Sequence, residues 1–181
     1  VSLGYGKRLS WPDDYFSFYS ELSYQLYMMK DWPYMILTDG NSHNLALNFR
    51  LMRSSIDNPI YTRRGSQFTL GLKITPPYSL IKGTTDAQYA QMSATEKYNL
   101  LEYHKWSFSG KVFTPLTADS KLVLMARADF GYLGHYNKNV KSPFESFYMG
   151  GDGMSGYSSY STEYISMRGY QSGSLTPYDA A

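Results

Sequence analysis

The chain has 181 residues, of which 43% are hydrophobic and 17% aromatic, and its formal net charge is +2. The length and hydrophobic content suffice for a folded domain, and the near-balanced charge does not indicate a nucleic-acid partner. The absence of cysteine excludes disulfides and thiolate zinc sites, and no apolar window of about 18 residues predicts a membrane-spanning helix.

Strict alternation of apolar and polar residues predicts six β-strands. The first is a short run in which Val1, Leu3 and Tyr5 share a face. The second extends from Tyr15 to Met29 and the third from Ser42 to Ser55. The apolar faces of the last three comprise Phe68, Leu70, Leu72 and Ile74; Trp106, Phe108 and Val112; and Leu122, Leu124, Ala126, Ala128, Phe130 and Tyr132.

The length of these runs indicates a membrane rather than a soluble sheet. Several reach about ten residues, which is close to what a tilted strand needs to cross a bilayer. The 19 Tyr and 9 Phe also suit a barrel wall with aromatic girdles, and they exceed what a soluble core requires. A soluble β-sandwich is the alternative. The predicted lipid-facing residues are Phe16, Phe18, Leu22, Leu26, Leu45, Leu47, Phe49, Leu70, Leu72, Leu122 and Leu124.

The connections between the strands alternate in length, as they do in outer-membrane barrels. We expect "WPDD" (11–14), "TRRG" (62–65) and "TADS" (117–120) on the periplasmic side. The segments 76–103 and beyond Leu133 are expected on the extracellular side. Because a membrane barrel needs roughly eight strands to close, the prediction is an all-β fold, a fragment of about six middle strands of a transmembrane antiparallel β-barrel.

Two short motifs lie in the Gly-, Ser- and Tyr-rich end of the chain. The first contains Phe147, Tyr148, Gly150 and Gly151, and the second is Met167-Arg168-Gly169-Tyr170. With the upstream "GKRLSWPDDYF", "KWSFSGKVFTPLT" and "KLVLMARADFGYLG", they resemble the sixth extracellular loop and preceding strands of the BamA family of outer-membrane protein assembly factors. The chain departs from that pattern at Met167, where the family has a branched aliphatic residue, and in a longer spacing between the motifs.

The resemblance implies a division of the chain and a role for the second motif. Residues 1–133 would be barrel strands and residues 134–181 the start of a loop that folds into the lumen, with periplasmic domains and the remaining strands outside this chain. Arg168 would reach acidic and aromatic residues on later strands and act as a latch. Gly169 would let the backbone turn, and Tyr170 would supply a flat packing surface.

The function that the resemblance implies involves no covalent chemistry and no cofactor. Such a protein of the bacterial outer membrane folds and inserts other β-barrel proteins, and its partners are outer-membrane lipids, unfolded outer-membrane proteins and accessory lipoproteins. A related two-partner secretion pore is one alternative. A porin or an outer-membrane enzyme is another.

Four other features carry weaker signals. Arg127 and Asp129 lie two residues apart on a polar face, which predicts a lumen charge pair and only weakly a catalytic site. The three histidines show no metal-ligand spacing. The glycine-rich stretch 150–156 lacks the Gly-Lys-Ser/Thr ending of a phosphate loop. The segment from Ala94 predicts either a short helical turn or an extension of the next strand.

Overall fold

The computed structural model describes residues 1–31, 38–139, 141–152 and 162–175. All six strands predicted by alternation are present, with boundaries close to the expected ones. They are β1 (Ser2–Arg8), β2 (Phe16–Met29), β3 (Gly40–Ser54), β4 (Gly65–Ile74), β5 (His104–Pro115) and β6 (Val123–Gly134). The all-β prediction is therefore confirmed.

The six strands form one sheet in the order β1-β2-β3-β4-β5-β6, so strands adjacent in sequence are adjacent in the sheet. The pairs β1/β2, β3/β4 and β4/β5 are antiparallel. Antiparallel neighbours reverse the chain at each connection, so the connections 9–15, 55–64 and 116–122 share one end of the sheet. This is the alternation expected from the sequence, whereas the assignment of each end to a membrane side stays a prediction.

The register of β3, β4 and β5 separates apolar from polar side chains. Leu51 pairs with Leu70, which pairs with Phe108, and the next row consists of Phe49, Leu72 and Trp106. On the opposite face the rows are Asn48, Lys73 and Lys105, then Met52, Thr69 and Ser109. Because side chains alternate across a strand, each row belongs to one face of the sheet.

The same apolar face continues onto β2. Phe18 stacks on Phe49 of β3, with ring centroids 6.2 Å apart, and Phe16 meets Phe68 of β4 edge to face at 5.7 Å. On the other face of β2 and β3, the Asn48 side-chain amide donates to the Ser23 hydroxyl at 3.0 Å, and the Asn44 amide donates to Gln25 at 3.2 Å. Polar residues therefore bond to one another across this second face.

The chain divides into two compact units. Unit 1 comprises Val1–Gln25, Asn44–Pro76 and His104–Gly131, and unit 2 comprises Leu26–His43, Pro77–Tyr103 and Tyr132–Ala181. The described residues of unit 2 form two clusters of buried apolar residues, which share Met29. The larger consists of Leu101, Tyr103 and Phe144 with Tyr27, Met29 and Leu133 at its margin, and the smaller of Tyr89 and Tyr98.

Three short helices occupy the long connection before β5: α1 (Tyr78–Lys82), α2 (Asp86–Gln91) and α3 (Ala94–Lys97). Helix α3 is the helical turn that the sequence offered as one of two options at Ala94. A capping box starts it, because the Ser93 hydroxyl accepts from the Glu96 amide while the Glu96 carboxylate accepts from the Ser93 amide. Across the described ranges, every helix is too short or too polar to span a membrane.

Candidate functional site

The two sequence motifs are brought together by a small parallel sheet. Strand β7 (Ser146–Met149) pairs in parallel with β8 (Thr162–Ile165), so that Phe147 lies opposite Glu163 and Met149 opposite Ile165. Parallel neighbours need a connection of about a dozen residues, and residues 150–161 provide it here. The extra length between the motifs is therefore compatible with their pairing, although residues 153–161 lie outside the described ranges.

Backbone hydrogen bonds then join the Gly-Gly pair to the second motif. The Gly150 amide donates to the Ile165 carbonyl at 3.1 Å and the Gly151 amide to the Tyr170 carbonyl at 2.9 Å. In return the Met167 amide donates to the Gly151 carbonyl at 2.8 Å. These bonds use main-chain atoms only.

The backbone conformation and close packing at position 150 require a glycine. Its φ is +120°, and a Cβ there would lie 2.3 Å from the carbonyl oxygen of Gln171. A side chain rarely adopts this conformation, and the oxygen belongs to the backbone, which cannot swing away. The first motif therefore lets a neighbouring segment approach the main chain closely.

The second motif forms a four-residue turn, named here the motif turn (Met167–Tyr170). The Tyr170 amide donates to the Met167 carbonyl at 3.4 Å, and Gly169 has a φ of +91°. A positive φ at the third residue is what a type II turn requires, which accounts for glycine after the arginine. Arg168 is thereby placed at the second position, at the apex of the turn.

The side chains of the motif turn are exposed. Met167 is 44% exposed, Tyr170 is 53% exposed, and Arg168 is exposed. The guanidinium of Arg168 makes no hydrogen bond or ion pair with any residue in the described part of the chain. The predicted partners of Arg168 lie on later strands, so the latch stays a prediction.

The segment just before β7, Phe144 and Glu145, anchors the start of this loop and is named here the loop root. The Phe144 ring stacks on the Tyr27 ring with centroids 4.3 Å apart and planes 3° from parallel. The Tyr103 hydroxyl donates to Glu145 Oε1 at 2.9 Å. Phe144, Glu145 and Tyr103 are all buried. The loop thus leaves a rigid point before it reaches the motifs.

Reasoning from the sequence missed the loop root, although one signal for it was present. Tyr27 and Met29 occupy odd positions of β2, the face on which Glu21, Ser23 and Gln25 lie. Two large apolar residues at the end of an otherwise polar face indicate that something packs on that end. In the structure Tyr27 and Met29 border the buried cluster that contains Phe144.

The remaining candidate residues lie elsewhere. Arg127 Nε donates to Asp129 Oδ2 at 2.5 Å, so the two predicted lumen charges form an ion pair on β6. His104 accepts a hydrogen bond from the Trp106 indole at 3.2 Å. Across the residues described, no group of three or more His, Cys, Asp or Glu side chains could hold a metal ion.

The connection before β5 contains tyrosines with perturbed acidity. Burial raises the pKa of Tyr98 above its usual value. Burial also raises the pKa of Tyr89, and the nearby Glu102 carboxylate adds to the increase, while hydrogen bonds with Thr84 and Ser79 lower it. Both phenols are therefore kept neutral, as expected of residues that pack in a core.

Comparison with known proteins identifies the family. The chain matches a family model described as the Omp85 superfamily domain over residues 3–181, and no curated protein matches it. Members of this superfamily are outer-membrane β-barrel proteins, and the antiparallel sheet described above is consistent with a fragment of a β-barrel. Because the match covers nearly the whole sequence, the chain belongs to the Omp85 superfamily.

Proposed function

We propose that the chain belongs to an outer-membrane insertase, a protein that folds other β-barrel proteins and inserts them into the bacterial outer membrane. In this proposal the chain forms part of the barrel wall and the loop that carries the two motifs. The superfamily points to insertion or secretion of outer-membrane proteins. The resemblance of the Met167–Tyr170 motif to the BamA family favours insertion. The observation that carries the proposal is the presentation of Arg168 at the apex of a turn held by main-chain bonds to Gly151.

This geometry suits a latch. A guanidinium presents five donors in a planar fork and binds a carboxylate through two parallel bonds. In a lumen with little water such a bond is strong, and the motif turn keeps the entropic cost low because its backbone is already ordered. The flanking Met167 and Tyr170 supply apolar and aromatic surface that shields the ion pair from water.

The latch would position the loop and would take no part in covalent chemistry. It would hold the loop inside the barrel, while unfolded substrate proteins add strands to an unpaired edge by β-augmentation. The strands that form that edge are not among β1–β6 in this proposal. Outer-membrane lipids, unfolded outer-membrane proteins and accessory lipoproteins are the proposed partners.

The test uses the full-length protein in its bacterial host, with Arg168→Ala as the main variant. Removing one member of a desolvated ion pair costs about 3–5 kcal/mol, so heat stability of the barrel and the amounts of several outer-membrane proteins should fall together. Arg168→Lys should restore part of both, since an ammonium cannot make the two-point contact. Arg63→Ala, at an exposed arginine of the connection 55–64, is the matched control. An Ala variant that retains both properties would remove the support for a latch.

A secretion pore is the second candidate, because the superfamily also includes proteins that secrete partners. Depletion of the full-length protein separates the two. An insertase should lower the amounts of many outer-membrane proteins at once. A secretion pore should retain one exported protein inside the cell and leave the other barrels unchanged.

A further inference from the structure

Arg53 is a charged residue on the mostly apolar face of the sheet. Arg53 of β3 pairs with Phe68 of β4, one row beyond Leu51 and Leu70. Both Leu51 and Arg53 occupy odd positions of β3, so their side chains share a face. An arginine directed at hydrocarbon is costly near the bilayer centre, and the cost falls to nearly nothing at the interface.

The guanidinium of Arg53 is held by an ion pair and by two hydroxyls. Its Nε and Nη2 atoms donate to Asp13 Oδ2 at 3.0 and 2.8 Å. Its Nη1 donates to the hydroxyls of Ser55 and Ser66, each at 3.0 Å. One of the five N–H donors remains for another acceptor. Because Asp13 lies in the connection 9–15, the pair also ties that turn to β3.

Aromatic rings flank the same guanidinium. Its central carbon lies 5.6 Å from the centroid of the Tyr15 ring and 5.7 Å from that of Phe16. The Arg53 and Asp13 side chains keep 22% and 34% of their surface exposed. Charge, aromatic rings and partial exposure together are typical of the membrane–water boundary.

The row position agrees with that boundary. A strand tilted by about 40° rises about 5 Å along the membrane normal for every two residues. An apolar band about 25 Å tall therefore holds about five residues of one face. Leu45, Leu47, Phe49 and Leu51 fill most of that height and Arg53 follows them. Beyond Arg53 the sequence turns polar, with exposed Arg63 and Arg64 in the connection 55–64.

We propose that Arg53, Asp13, Tyr15 and Phe16, named here the Arg53 cluster, form a binding site for the headgroup of a membrane glycerophospholipid. The lipid phosphate accepts the remaining N–H of Arg53, and the rings of Tyr15 and Phe16 contact the glycerol and upper acyl region. Asp13 keeps the guanidinium neutralised when no lipid is bound. The site fixes the depth of the strands in the bilayer at the end that carries the short connections. This inference depends on the barrel fold and not on the insertase proposal.

The test compares thermal unfolding of the full-length protein in phosphatidylcholine vesicles and in maltoside micelles, which have no phosphate. Arg53→Gln should lower the unfolding midpoint by about 2–4 °C more in vesicles than in micelles. Asp13→Asn should lower the unfolding midpoint more in micelles than in vesicles, because in vesicles the lipid phosphate can replace the lost carboxylate. Arg50→Gln is the matched control: it lies on the same strand but on the opposite face, and its shift should be the same in both media.

Two results would overturn the site. Equal shifts for Arg53→Gln in vesicles and micelles would mean that the cluster only ties the turn to β3. If inorganic phosphate restored the unfolding midpoint of Asp13→Asn in micelles, the cluster would be a general anion site and not a lipid site. Retention of the vesicle-specific difference, with no effect of inorganic phosphate, supports the proposal.

Discussion

The strands of unit 1 and the buried clusters of unit 2 place their large apolar side chains in opposite ways. In unit 1, Leu22, Leu70 and Trp106 lie in the middle of regular strands and are 46%, 40% and 40% exposed. In unit 2, Leu101 and Tyr103 are fully buried at 0%. The strands of unit 1 carry an exposed apolar face that lipid would cover in the expected barrel wall, whereas Leu101 and Tyr103 of unit 2 are removed from water by packing in a core.

The difference indicates that exposure of an apolar residue has opposite effects on stability in the strands and in the long connections. For a strand in a barrel wall, exposure of an apolar residue stabilises the protein once the membrane is present. For the long connections, the same exposure would cost free energy as it does in any water-soluble domain. Mutations of similar size should therefore have different consequences in the two units.

The largest effect is expected for Phe144→Ala in unit 2. Phe144 is 4% exposed and stacks on Tyr27, so its truncation should cost about 3–5 kcal/mol of unfolding free energy in this unit. Hydrogen exchange in the full-length protein should show loss of protection in β7. Tyr61→Ala, at an aromatic residue that is 91% exposed, should change little. Equal effects of the two variants would contradict a water-excluding core.

A slightly smaller effect is expected for Leu47→Arg in unit 1. If Leu47 faces the bilayer near its midplane, the charge should cost about 2–4 kcal/mol in urea unfolding from vesicles. Asn48→Arg on the other face should cost less: it loses the hydrogen bond to Ser23, about 0.5–1.5 kcal/mol, and adds a like charge opposite Lys73, about 0.2–1 kcal/mol. A larger cost for Asn48→Arg than for Leu47→Arg would place the apolar face inside the barrel.

Gly150→Ala tests the support of the motif turn. The positive φ and the carbonyl oxygen of Gln171 oppose a side chain, which should cost about 1–3 kcal/mol and expose the Met167 amide to exchange. Gly169→Ala is the control for φ alone, because a Cβ there meets no atom within 4 Å. A smaller effect at Gly150 than at Gly169 would argue against close packing beneath the turn.

The smallest effect concerns alkaline pH. The pKa of Tyr98 is raised in the folded state by burial, above an unfolded value of about 10. The stability that it contributes is fully present below about pH 10 and is lost as the pH rises through the folded pKa. Tyr98→Phe should reduce the alkaline loss of unit 2 stability, measured by hydrogen exchange, while Tyr61→Phe should not. An unchanged alkaline profile in the Tyr98 variant would contradict the assignment.

Sequence periodicity predicted the sheet because the face of a strand residue depends only on its parity. The pairing of β7 with β8 could not be predicted in this way, since it joins segments that are not consecutive and depends on register. The short helices carried two readable signals, the capping boxes of Thr85 with Gln88 and of Ser93 with Glu96. Alternation places Arg53 on the face of Leu51, but it could not reveal the ion pair with Asp13, because that partner lies in a connection 40 residues away.

The parallel ladder between β7 and β8 has a practical consequence. The hydrogen bonds that hold the motif turn join Gly151 to Met167 and Tyr170, so these bonds lie outside the segment 153–161. By the loop-closure relation, doubling the length of a connection costs only about 0.6 kcal/mol. A peptide tag or a fluorescent label inserted within 153–161 should therefore leave Arg168 at the apex of its turn, which gives a reporter position between the two motifs in the sequence.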